Sequence, residues 1–311
     1  MILNTGNRTD IPAFYSEWFM NRVREGYVLA RNPFYPEQII RYSIDINSVD
    51  LIVFCTKNPG PMLQYMEELS GFQQFWHVTI TPYDKDIEPG VPDKNDVLER
   101  FRKISDIVGK RSIGWRYDPI FISDKYSMDL HLGKFEEFAA ALDGYTEQVV
   151  ISFIDLFEKT RRNFPEVRMV EPKERLRLGK AMAEIATGHG MTVYSCLEGT
   201  ELAKFGVNTG GCMTKEVLEH ALGEELDIPS GVGMSREGCS CLLGNDIGTY
   251  NSCRHFCKYC YANYDRESVM RNSARHDPES PLLIGNVRQG DIIRDAKQLR
   301  YRTGQMRLTL K

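Results

Sequence analysis

Six short apolar runs, with five helical patterns between them, constrain the fold of this chain more than any other feature. The runs are Met1 to Asn4, Leu51 to Cys55, His77 to Thr81, Ser112 to Trp115, Gln148 to Phe153 and Thr192 to Tyr194. Each is apolar enough to be buried on both faces, as strands of a parallel sheet are. Helical patterns occupy Ile11 to Arg24, Met62 to Leu69, Asn95 to Val108, Leu132 to Leu142 and Lys173 to Thr187, with Asp93 as a cap and Pro172 in a first turn. Strand and helix in alternation predict an α/β fold, a partial (βα)6 TIM-like barrel over residues 1–205. Tyr27 to Ala30 and Ile39 to Tyr42 flank Asn32-Pro33-Phe34-Tyr35-Pro36 and predict a hairpin inserted at the barrel's edge.

Polar groups follow the strands: Thr5-Gly6-Asn7-Arg8, Thr56-Lys57-Asn58-Pro59, Pro82-Tyr83-Asp84, Arg116-Tyr117-Asp118-Pro119, Ile154-Asp155 and Ser195-Cys196. Strand ends are polar in many proteins because they reach solvent. In a βα barrel, however, the C-terminal ends converge on one mouth, which carries the active site. Lys57, Arg116 and Asp118 there suit the charges of a ligand, or else an ion pair inside the barrel.

The character changes after Glu198. Residues 206–270 form a loop-rich segment with one helical stretch, Lys215 to Leu222, and residues 271–311 read as a tail without a convincing core element that wraps the barrel. Five of the eight cysteines, Cys239, Cys241, Cys253, Cys257 and Cys260, crowd into this part; the others are Cys55, Cys196 and Cys212. No run approaches the roughly 18 apolar residues of a membrane span, and the opening residues lack a signal sequence, so the expectation is a cytoplasmic protein with no membrane partner. Cysteines in a reducing compartment point to metal or catalysis rather than disulfides. A formal charge of -4 argues against general nucleic-acid affinity; Lys297 to Lys311 holds five basic residues and no acidic one, and reads as a solvated terminus.

Cys253, Cys257 and Cys260 are spaced C-x3-C-x2-C. Three thiolates at this spacing wrap three corners of a [4Fe–4S] cubane and leave one iron open. The zinc alternative joins Cys257 and Cys260 to Cys239 and Cys241 as a four-sulfur site and leaves Cys253 without a role. Cys239 and Cys241 stay open between a second metal, substrate thiols and small buried residues. Cys55 and Cys196, at strand ends, are candidate ligands at the mouth. His255, inside the loop, reads as a residue hydrogen-bonded to the loop backbone rather than a ligand.

The run Asp246 to Asn263, with Tyr250, Asn251, Tyr259 and Tyr261 around the cysteines, resembles the cluster-binding loop of radical S-adenosylmethionine (SAM) enzymes, in which an aromatic residue commonly precedes the last cysteine. Phe54 to Pro59, Thr79 to Thr81 with Ile87 to Gly90, and Arg116 to Pro119 are similar to the strand ends of the spore photoproduct lyase-like branch. Over its whole length the chain looks like the bacterial family called domain of unknown function 1848. The resemblance implies a [4Fe–4S] cluster on Cys253, Cys257 and Cys260 and reductive cleavage of S-adenosyl-L-methionine to a 5′-deoxyadenosyl radical, which takes hydrogen from an unknown small-molecule or nucleic-acid substrate. It implies an electron donor such as a flavodoxin or ferredoxin. The cofactor-binding candidates are then Thr5, Asn7, Arg8, Thr56, Lys57, Arg116, Asp118 and Tyr259. The alternative is a non-catalytic iron–sulfur electron-transfer or binding protein, or a zinc-stabilised barrel. Radical SAM enzymes ordinarily carry the cysteines after the first strand, whereas here Thr5 to Asp10 has none. The expectation is therefore that the C-terminal loop returns over the barrel mouth and docks beside Thr5, Asn7 and Arg8. Long connections permit this, at about 0.6 kcal/mol per doubling of loop length.

Overall fold

The structure is a computed structural model that describes residues 1–229, 231–232, 240–242 and 245–306. Along the chain come β1 (Ile2–Asn4), α1 (Ile11–Phe14), α2 (Ser16–Glu25), a hairpin of β2 (Tyr27–Arg31) and β3 (Gln38–Ser43), then β4 (Leu51–Thr56) and β5 (Gln74–Thr79). There follow α3 (Lys94–Val108), β6 (Ile113–Ile120), α4 (Met128–Leu142), β7 (Gln148–Phe153), α5 (Glu158–Asn163), α6 (Pro172–Gly188) and β8 (Thr192–Ser195). The last elements are α7 (Lys215–Leu222), β9 (Glu224–Leu226), α8 (Arg266–Ser273), β10 (Ile292–Asp295) and β11 (Arg302–Met306).

The main sheet is parallel, in the order β1-β4-β5-β6-β7-β8, so the fold is α/β with six parallel strands. Alternation along each strand divides its side chains between two buried faces. Ile52, Phe54, Trp76, Val78, Trp115 and Val149 point outward, where Phe101 and Ile104 of α3, Phe135 and Phe138 of α4 and Met182 of α6 cover them. These helices are amphipathic at three- and four-residue spacing, and fully burying each large side chain contributes about 1.5–3 kcal/mol. The opposite face, with Ile2, Leu51, Val53, Phe75 and Val150, packs on Met213, Val217, Leu218, Leu226 and Tyr301 from the C-terminal third.

That third also extends both edges of the sheet. Asn208 bridges Tyr194 in parallel beside β8, and Asp246 bridges Asn4 in parallel beside β1. Asn4 N–H donates to the Asn245 carbonyl at 3.0 Å and Ile247 N–H returns a bond to the Asn4 carbonyl at 3.1 Å. After β8 the chain therefore adds to one edge, crosses the inner face and adds to the other edge. It emerges at the C-terminal end of β1, where the cysteine run begins. These bridges are single pairings, and among the described residues the strands do not close into a continuous barrel.

Three elements differ from sequence expectation. The helix expected over Ile11 to Arg24 breaks at Tyr15 (φ -138°, ψ 26°), whose hydroxyl donates to the Ser252 carbonyl at 2.6 Å. The segment expected as a helix over Met62 to Leu69 is a 3-10 turn at Gly60–Tyr65, with Pro61 in its first turn. The tail has core-forming residues: Leu282, Leu283 and Tyr301 are buried, β10 pairs with β3, and β11 pairs with β9. Arg302 is not simply solvated, because its Nε donates to Glu224 at 2.8 Å.

Candidate functional site

At the C-terminal ends of the parallel strands lies a cavity of about 1010 Å³. Its wall includes Asn7 and Arg8 after β1, Thr56 and Lys57 at β4, Arg116 and Asp118 on β6, and Cys196 and Glu198 after β8. Cys253, Cys257, Tyr259 and Cys260 complete it. The motif from the far end of the sequence and the strand ends of the first two thirds thus share one space.

Asp10 is the central fastener. Its carboxylate caps α1 by accepting from Ala13 N–H at 3.0 Å, and it accepts from Thr56 Oγ1 and Lys57 N–H, both at 2.7 Å. The fourth partner is His255 Nε2 at 2.8 Å. The other ring nitrogen of His255 meets the Gly90 carbonyl at 3.1 Å, and Gly90 N–H donates back to the His255 carbonyl at 2.8 Å. His255 therefore anchors the cysteine loop to the segments after β1 and β5, rather than to its own backbone.

Glu88 is the second fastener, with a side chain 1% exposed. It accepts from Lys57 Nζ at 2.9 Å and Thr81 Oγ1 at 2.8 Å, and pairs with Lys94 and the Tyr259 hydroxyl. Burial opposes its ionisation, but the Lys57 and Lys94 ammonium groups outweigh that and hold its pKa at about 2. The loop is further held by Lys258 N–H on the Ile87 carbonyl at 3.0 Å, Asn263 Nδ2 on the Cys253 carbonyl at 2.8 Å and the Tyr261 hydroxyl on the Asn7 carbonyl. Phe256 (φ 55°) and Asn251 (φ 56°) take left-handed conformations that fold the loop tightly.

The three loop thiols face a common interior. Burial pushes all three up from the ordinary thiol value, Cys253 and Cys257 are raised further by their neighbouring thiols, and a metal must displace the protons to bind. Ala262 N–H donates to Cys260 Sγ at 3.3 Å, a contact that suits a thiolate. Three soft thiol donors on one loop lining one cavity, with no fourth cysteine between Asp246 and Asn263, are a donor set that fits three corners of a [4Fe–4S] cubane.

Of the other expected residues, Asn7, Arg8, Thr56, Lys57, Arg116, Asp118 and Tyr259 line the cavity. Thr5 does not: it is buried, and its hydroxyl donates to the Val53 carbonyl at 3.1 Å. Arg8 is paired with Asp246, Lys57 with Glu88, and Arg116 with Asp118. Asp118 also accepts from Ser152 Oγ at 2.8 Å. Cys55 and Cys196 are both in the wall. Cys241 is buried against Cys212, and Cys239 lies outside the described residues.

Sequence reasoning missed Asp10, Asp246, Glu198 and Cys212 as wall residues. Glu198 accepts from Phe153 N–H at 2.7 Å and Arg175 Nη1 at 3.0 Å, yet burial raises its pKa to about 7, which leaves it able to hold or give up a proton near neutrality. Its signal was its place just after the last strand of the sheet.

The family model described as Domain of unknown function (DUF1848) matches residues 2–262. The chain belongs to this family. No curated protein sequence matches it. Among solved structures it is similar to a spore photoproduct lyase complexed with dinucleoside spore photoproduct, at 17% identity and a TM-score of 0.35. That match covers 46% of this chain and 50% of the other, so it spans half the length of the protein it resembles. Among the described residues, no helix is long and apolar enough to cross a membrane.

Proposed function

We propose that this protein is a radical SAM-type enzyme that binds a [4Fe–4S] cluster through Cys253, Cys257 and Cys260 and S-adenosyl-L-methionine beside it. The reading is carried by one observation: three thiols on a tightly fastened loop share a cavity with the charged strand ends Arg8, Lys57, Arg116 and Asp118. When bound, a cluster with one open iron supplies an electron to S-adenosyl-L-methionine and so yields methionine and a 5′-deoxyadenosyl radical that takes hydrogen from substrate.

The chain's own residues do the rest. Asp10, His255 and Glu88 hold the loop against the mouth, so the three thiols keep their positions as the protons leave them. Asn7, Thr56 and Tyr259 offer amide, hydroxyl and ring surface to a nucleoside. Arg116 and Lys57 offer donors to a carboxylate, each balanced by its own carboxylate partner so that no charge is buried alone. Thr5 acts from outside the wall, tying the end of β1 to β4. A cavity of about 1010 Å³ holds a nucleoside-sized ligand together with a small-molecule substrate. Reduced thiols suit a cytoplasmic setting, and a flavodoxin or ferredoxin suits the delivery of single electrons.

Anaerobic reconstitution with iron and sulfide tests this. The expected result is a brown protein with about four irons per chain that releases 5′-deoxyadenosine from S-adenosyl-L-methionine under dithionite, and loses both properties in Cys253→Ala. A cluster indifferent to S-adenosyl-L-methionine, or a Cys253→Ala protein with full iron content, refutes it.

A further inference from the structure

A second group of cysteines stands apart from the loop. Cys196 follows β8, Cys212 lies between β8 and α7, and Cys241 precedes the return to β1; their sulfurs all lie within 4.8 Å of one another. Cys212 Sγ and Cys241 Sγ are 3.6 Å apart. Cys212 and Cys241 are buried and Cys196 half-buried. From these residues we infer a mononuclear site for a thiophilic divalent ion of the zinc type, bound by Cys196, Cys212 and Cys241, with its fourth position toward the cavity.

The spacing sets the nuclearity. Zinc–sulfur bonds of about 2.3 Å at tetrahedral angles put sulfurs about 3.8 Å apart, close to the Cys212–Cys241 separation. Three soft donors select zinc-like or copper(I)-like ions over hard cations.

The surroundings are those of thiolates rather than of small apolar side chains. Arg116 Nη1 donates to Cys212 Sγ at 3.2 Å, and Met213 N–H donates to Cys241 Sγ at 3.3 Å. Three thiolates around a dication carry one net negative charge, and a guanidinium at hydrogen-bond distance opposes it. His77, fully buried and within electrostatic range of Cys212, has no hydrogen-bond partner on either ring nitrogen among the described residues. A buried imidazole without a partner is a cost in an apolar core.

Cys196 and Cys212 line the cavity wall, whereas Cys241 does not, so the three sulfurs close the site from behind. Three protein ligands with the remaining position open is the pattern of zinc sites that take water or a substrate donor. The site uses none of the loop cysteines, so it stands or falls separately from the cluster.

The test uses the full chain carrying Cys253→Ala, Cys257→Ala and Cys260→Ala, purified anaerobically. The expected result is one Zn²⁺ per chain that survives gel filtration, and a Co²⁺ form with near-ultraviolet thiolate-to-cobalt charge-transfer bands and intense visible tetrahedral bands. Adding Cys212→Ser or Cys241→Ser lowers metal affinity at least tenfold and removes those bands. Where a serine variant loses its near-ultraviolet circular dichroism, the triple variant alone decides: Zn²⁺ raises its melting temperature over the EDTA-treated protein, since the ion binds the folded state. Metal retained by the folded serine variants, about four irons in the triple variant, a Cys212–Cys241 disulfide under anaerobic purification, or no melting shift with Zn²⁺ overturns the inference.

Discussion

Glu88 shows how much of the site depends on one carboxylate. Glu88→Gln removes the countercharge of Lys57 and Lys94, whose side chains are 15% and 21% exposed, and the charged acceptor of the Tyr259 hydroxyl. Breaking a buried pair from one side costs about 3 kcal/mol here, at the lower end of the usual range because both lysines can turn partly to water. Linkage gives a similar size. The pKa falls from the ordinary 4.5 to about 2, so the native state favours the ionised form; this contribution is fully present above pH 4.5 and is lost as pH falls toward 2. A fall of that size corresponds to about 3 kcal/mol. Urea denaturation should therefore show Glu88→Gln less stable by that amount at pH 7, with the gap narrowing as the pH is lowered through 4.5. A constant gap across this window contradicts the assignment. The cysteine spacing was legible because it is local. The partners of Glu88 and Asp10 were not, because Tyr259 is 171 residues from Glu88 and His255 is 245 from Asp10.

Between elements, the closest approach that matters is that of the segment after β5 to the cysteine loop. A Cβ on Gly90 would stand 2.3 Å from the Arg254 carbonyl oxygen and 2.8 Å from His255 Cα, both backbone atoms that cannot swing aside. Gly90→Ala should push the loop away from the mouth and leave the sheet intact. The expected outcome is at least a tenfold loss of iron after reconstitution, with far-ultraviolet circular dichroism unchanged; full iron incorporation would show that the loop does not depend on this contact. The parallel strands and outer helices were legible because each repeats its apolar spacing over several residues. The break at Tyr15 was not, because a tertiary bond to Ser252 overrides a continuous helical pattern. Nor were the strand-like pieces at Asn208 and Asp246, which are single bridges with no periodicity to read.

At the scale of the whole molecule, a boundary near residue 205 is a change of composition that leaves the first part without a complete core. Ile2, Leu51, Val53, Phe75 and Val150 form the inner face of the sheet, each no more than 3% exposed, and their cover comes from residues 212 onward. An exposed apolar face of that kind is unstable in water and prone to association. The same crossing carries the chain from the β8 edge to the β1 edge and sets the cysteine loop over the mouth, so cover and loop placement are one structural event. A fragment of residues 1–205 should therefore fail to fold as a monomer: it should bind the dye ANS, lose near-ultraviolet circular dichroism and elute as aggregate. Addition of a 206–311 fragment during refolding should restore a one-to-one complex that takes up iron. A soluble, cooperatively unfolding 1–205 monomer would mean that the inner face is covered some other way, and that the cysteine loop is an appendage to the sheet instead of the end of the segment that completes it.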